Sequence, residues 1–214
     1  MIRAEIDSLE GSLRANQLRI EDGFPLMMRA HMAYRREGDS WSTAASLLQM
    51  AKACSRIEAL SRSRELAREA DRHLAECDDP FLHRVAAHVR CDWLTRSGRL
   101  EEAMEELRRG QETGYDSEVM ALRTECLIAE IVCLGGSLEA AEDKFLSVRS
   151  SFMTRGLRFE ASEAGVDLAR IYYQQGRRKD GLALLDFADS TYSQLGVSAG
   201  LGEIDDLRAR FRGL

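Results

Sequence analysis

Proline is nearly missing from this chain: Pro25 and Pro80 are the two in 214 residues. Long proline-free stretches rich in Ala, Leu, Glu and Arg are left free to be helical. Strict apolar–polar alternation nowhere runs long enough for a strand. No apolar run reaches about 18 residues, so no membrane-spanning helix is expected, and the opening MIRAEIDSLEGSLRANQ lacks the apolar core of a signal peptide. An excess of positive charge is also lacking. The net charge is −6, which argues against a general nucleic-acid or anionic-membrane binder. The cysteines, Cys54, Cys77, Cys91, Cys126 and Cys133, are odd in number and have no disulfide-framework spacing. They read as small buried hydrophobes of a reducing, cytoplasmic compartment.

Catalytic patterns are missing as well. There is no GxxxxGK[ST], no GxGxxG after a strand, no GxSxG and no HExxH. Gly135-Gly136-Ser137 reads as a turn between helices. The carboxylate pairs Asp78-Asp79, Glu101-Glu102, Glu105-Glu106 and Asp205-Asp206 fall at caps or on helix surfaces, not in a pocket with contrasting environments. His73 and Cys77 lie four apart, and His88 and Cys91 three apart, with His83 nearby. A short turn near residue 79 sets His88 about one turn too far along to complete a zinc site, so no metal and no cofactor is expected. The chain is expected not to be an enzyme.

What is present is helical period. Hydrophobic residues make up 44% and charged residues 31%, enough for a core and a solvated polar face. Leu122, Cys126, Ala129 and Cys133 share a face, as do Leu168, Ile171 and Tyr172. The spacing predicts helices near 2–20, 24–37, 41–54, 57–77, 80–97, 100–113, 117–134, 137–154, 157–175, 178–195 and 199–212. Gly38-Asp39-Ser40, Asp78-Asp79-Pro80, Asp116-Ser117 and Gly135-Gly136-Ser137 supply stops and caps, and both prolines are expected where a helix begins. Connections of two to five residues make neighbouring helices antiparallel.

A repeat organises these helices. SGRLEEAMEELRRG from Ser97, GGSLEAAEDKFLSV from Gly135 and QGRRKDGLALLDFA from Gln175 share one pattern. Gly98, Gly136 and Gly176 are 38 and 40 residues apart. A small residue follows each at five (Ala103, Ala141, Gly181) and a large apolar one at nine (Leu107, Phe145, Leu185). The small side chain lets two helices approach, and the bulky one fills the space behind it. SRIEALSRSRELAREA from Ser55 has the same texture without the glycine, and Gly23 is read as a still earlier turn.

On these residues the chain resembles a tetratricopeptide-repeat (TPR-like) protein, clearly over about 80–195 and poorly over 1–77. The period exceeds the usual 34 residues, and Cys91 stands where the family often has glycine. The likeness is to the divergent, long-helix modules of bacterial regulatory and adaptor proteins, which often adjoin an effector or DNA-binding domain. It implies an all-α, right-handed α-solenoid of about five antiparallel helix pairs, with a C-terminal capping helix at 199–212, forming one domain over 1–214. It also implies recognition of a protein or peptide on the concave face, built from the first helix of each pair. The corresponding positions are His88, Asp92, Arg96, Arg123, Glu130, Arg170, Tyr173 and Gln174, with Val85, Cys126 and Val166 between them. Three arginines on such a wall would suit an acidic segment, because guanidinium pairs bidentately with carboxylate. The alternative implied by the likeness is a ligand-sensing regulatory module of a transcription regulator or effector system.

Overall fold

The computed structural model describes residues 1–17, 19–115 and 117–213, with the backbone alone at Ser198 and Ala199. Among the described residues it is all-α, with eleven helices and no strand. They are α1 (Ile2–Asn16), α2 (Ile20–Glu37), α3 (Ser40–Arg56), α4 (Leu60–Cys77), α5 (Pro80–Arg96), α6 (Leu100–Gln111), α7 (Glu118–Leu134), α8 (Leu138–Thr154), α9 (Arg158–Gln174), α10 (Arg178–Leu195) and α11 (Ser198–Arg212). The chain forms two compact units, 1–116 and 117–214.

Local chemistry sets the helix boundaries. Asp39 caps α3 by accepting from Ser42 N at 2.9 Å, and Asp79 caps α5 by accepting from Leu82 N at 2.9 Å with Pro80 in the first helical position. Ser117 caps α7; Asp116, also expected as a cap, lies outside the described residues, and Ser137 makes no side-chain cap bond. Pro25 departs from expectation. It stands in the second turn of α2, which already begins at Ile20. Ile20 is buried in the core, while Pro25 and Glu21, whose carbonyl loses its amide partner, are exposed. Gly23 is no turn either: a Cβ there would lie 2.5 Å from the Gly11 carbonyl oxygen, so its lack of a side chain lets α2 cross close to α1.

The helices are closed by a recurring left-handed turn. Residues 38, 58, 78 and 98 have positive φ, and so do 136, 156, 176 and 196, each set at 20-residue steps. At Gly98, Gly136 and Gly176 the turn is a Schellman closure: Arg99 N, Ser137 N and Arg177 N reach back to the carbonyls of Leu94, Val132 and Tyr172 at 2.9, 3.2 and 2.8 Å. Two of the eight positions carry a side chain, Glu58 at φ 59° and Asp78 at φ 39°. The missing glycines hid the first repeats from sequence comparison.

Packing is pairwise and sequential. Within each unit every helix packs on the next, and beyond neighbours odd helices touch odd ones: α1 with α3 and α3 with α5 in the first unit, α7 with α9 and α9 with α11 in the second. No such contact joins two even helices among the described residues. Within each unit the odd helices therefore form a row, flanked by the even ones. α3 and α9, packed by four neighbours each, carry the longest buried sets. The small residues of the repeat, Ala103 and Ala141, have no exposed surface, and Leu107, Phe145 and Leu185 are buried beside them.

Candidate functional site

The sequence-predicted residues fall on the odd helices. His88, Asp92 and Arg96 follow one face of α5; Arg123 and Glu130 follow one face of α7; Arg170, Tyr173 and Gln174 occupy the last turns of α9. Within the second unit the geometry gives the arginines a job inside the protein. Arg123 on α7 donates to Glu160 on α9 at 3.0 Å, and Arg170 on α9 pairs with Asp167 and with Glu203 on α11. In the first unit Arg96 donates to Asp92 at 3.0 Å, and Asp92 accepts from Ser55 on α3. These bonds tie one helix pair to the next. Tyr173 packs edge-on against Phe211, with ring centres 5.5 Å apart, while Gln174 is exposed and His88 and Glu130 are half-buried.

The α7–α9 face is acidic at its centre. Burial raises the Cys126 thiol, and the nearby carboxylates of Asp167, Glu163, Glu130 and Glu125 push it the same way; Cys133 is raised mainly by burial too. Neither is a ready nucleophile at neutral pH. All five cysteines are thiols. His73 lies 3.9 Å from Glu76 and His83 4.0 Å from Asp78, and among the described residues no cluster of three or more His, Cys, Asp or Glu could hold a metal. No helix among them is long and apolar enough to cross a membrane.

An open groove of about 190 Å³ lies elsewhere, across the odd helices of the first unit. Its walls are Ser8 of α1, Trp41 and Gln49 of α3, and Phe81 and Val85 of α5, with Tyr34 of α2 behind. Trp41 and Phe81 are each the second residue of their helix and are 40 apart in sequence, so the repeat places them in register. The indole Nε1 of Trp41 donates to Asp79 Oδ2 at 3.1 Å, which fixes the ring while leaving 43% of the residue exposed. That bond and the two backbone amides at its cap hold the Asp79 carboxyl below the usual range, the Leu82 amide contributing most. Phe81 is braced edge-on by Tyr115, at 5.2 Å between centres. Gln49 Oε1 accepts from Ser12 Oγ at 2.8 Å, and no described residue accepts from its amide nitrogen.

Sequence reasoning missed this groove because it took register from the glycines of the later repeats. The signal was there in another frame: Asp39-Ser40-Trp41 and Asp79-Pro80-Phe81 are cap, first turn and aromatic at one period. A pocket that offers apolar rings beside an unused amide donor can take an apolar side chain and hydrogen-bond the backbone that carries it. No family model matches this sequence, and a search of curated proteins finds no match either, so what the groove does is read from its own geometry.

Proposed function

We propose that this protein is a non-catalytic, TPR-like binding scaffold whose odd helices receive an extended segment of another protein. The observation that carries this reading is the groove across α1, α3 and α5, where α3 and α5 each present a ring at the second position of the helix. Helical-repeat stacks offer extended surfaces of this kind. The volume of about 190 Å³ suits one or two side chains and falls below the ordinary size of a metabolite pocket, which favours the scaffold over the small-ligand sensor.

Arg96, Arg123 and Arg170 enter as a second element of the proposal. An acidic segment would have to displace Asp92 from Arg96 in the first unit, or Glu160 and Glu203 from Arg123 and Arg170 in the second. The test is selection from a displayed peptide library on the purified chain. A consensus with one apolar or aromatic anchor is expected, its affinity falling at least tenfold for Trp41→Ala with the helical circular dichroism unchanged. Arg123→Glu reports the acidic contribution in the same assay. Selection that yields no consensus, or one indifferent to both substitutions, overturns the proposal.

A further inference from the structure

α1 is apolar on the wrong side for its own core. Its buried positions, Ala4, Asp7, Gly11 and Ala15, face α2 and α3. Ile2, Ile6, Leu9 and Leu13, spaced 4-3-4, fall on the opposite side and are 55–75% exposed. At 3.6 residues per turn this spacing makes one straight seam, the pattern of a helix that packs along another helix. The strip amounts to roughly 500 Å² of apolar surface, at the upper end of the largest patch that a monomer leaves in water.

We infer that the seam is the two-fold contact of a homodimer, in which α1 packs antiparallel on α1 of a second copy. Three features of the helix select this occupant. The seam is symmetric about its midpoint, so reversing it sets Ile6 against Leu9 and Ile2 against Leu13 of the other copy, as an isologous interface requires. Its flanks are self-complementary in that direction: Arg3 and Glu10 lie on one edge, Glu5 and Ser12 on the other. Antiparallel packing brings like edges together, so Arg3 of each copy meets Glu10 of the other twice. Parallel packing would set Glu5 against Glu10 twice instead, like charge against like charge. Glu10 also pairs with Arg14 on its own helix, which holds its side chain along that edge. Finally, two such strips would bury roughly 1,000 Å², the level at which a specific interface becomes sustainable.

Sedimentation equilibrium of the full chain decides the matter. A dimer of the 24.1 kDa chain is expected at micromolar concentration. Ile6→Glu with Leu9→Glu should give a monomer with unchanged helical content, since both side chains are exposed. Arg3→Glu and Glu10→Arg should each weaken the dimer about tenfold, and the two together should restore it. A wild-type monomer at about 100 μM, the level of a weak association, overturns the inference. So does a dimer that survives the Ile6→Glu, Leu9→Glu variant. If the single charge variants do not weaken the dimer, or the double variant does not rescue it, the antiparallel pairing is wrong.

Discussion

The two units place their aromatic residues differently. In the second unit Phe145, Phe152, Tyr172, Tyr192 and Phe211 are buried in the core. In the first unit Tyr34 alone of the aromatics is buried; the core is Leu, Met and Ala, and Trp41, Trp93, Phe81 and Tyr115 keep exposed surface. Glycine makes the second arrangement possible. A Cβ on Gly181 would lie 2.2 Å from Phe211 Cζ, and one on Gly200 would lie 2.6 Å from the Tyr192 ring. One unit thus uses rings as internal filler, with Gly181 of α10 making room for Phe211 of α11 and Gly200 of α11 making room for Tyr192 of α10. The other packs small and aliphatic residues tightly, and its rings other than Tyr34 keep exposed surface.

The sharpest test of that contrast is truncation of a ring in each unit. Phe211→Ala should destabilise the protein by about 3–5 kcal/mol in urea titrations followed by far-ultraviolet circular dichroism, because it empties a fully buried volume. Phe81→Ala should cost about 1 kcal/mol at most, the value of one edge-on ring contact and some packing. Equal losses would abolish the distinction. Gly181→Ala should cost about 2 kcal/mol despite the better helix propensity of alanine, since Phe211 has nowhere to move without strain.

Two smaller effects belong to the first unit, and both tryptophans, Trp41 and Trp93, report on it by fluorescence. His31 is buried between α2 and α3, with Nδ1 3.1 Å from Ser46 Oγ. Burial lowers its pKa below the ordinary 6.5, opposed in part by Glu69. The unfolded chain therefore takes up the proton first as pH falls. Stability contributed by neutral His31 is whole above pH 6.5 and declines below it, toward the lower folded value. His31→Gln should flatten the fluorescence-detected denaturation midpoint between pH 7 and pH 5. Glu58→Gly, last and smallest, should stabilise by about 0.5–1 kcal/mol, because it relieves a left-handed residue at a turn where six of the eight equivalent positions have glycine. No gain would mean that the left-handed turn, closed by Glu58 N on the Ser55 carbonyl and Ala59 N on the Cys54 carbonyl, holds Glu58 without appreciable strain.

Helix positions were legible in the sequence because each turn is short and chemically marked. The expected 80–97 and 137–154 differ from α5 and α8 by one residue at an end. The expected 2–20 ran past Asn16, where α1 stops without a glycine. The repeat was legible where glycine occupies the left-handed position and invisible where Glu58 and Asp78 do. Half of the binding proposal could be read from composition, the other half could not. Arginines on a helix face are visible in sequence, but their carboxylates lie 37 residues on for Arg123 and 33 for Arg170, across a helix pair. No local window contains both ends of such a bond. Trp41 and Phe81 had a periodic signature, yet it is anchored on caps at helix starts, a frame that glycine registers do not reveal.

Among the described residues of each unit, the restriction of contacts to helices one or two places apart has a kinetic consequence. The side-chain bonds that tie successive helix pairs together span about 40 residues, as the 41 from Ser8 to Gln49 and the 37 from Arg123 to Glu160 do. Closing loops of this size costs little entropy compared with joining distant ends, so each unit can acquire its native contacts progressively from any helix hairpin that forms first. Such a topology belongs with the fast-folding helical proteins. It also means that a segment emerging from the ribosome can find its partners among the residues made just before it, without waiting for the end of the chain.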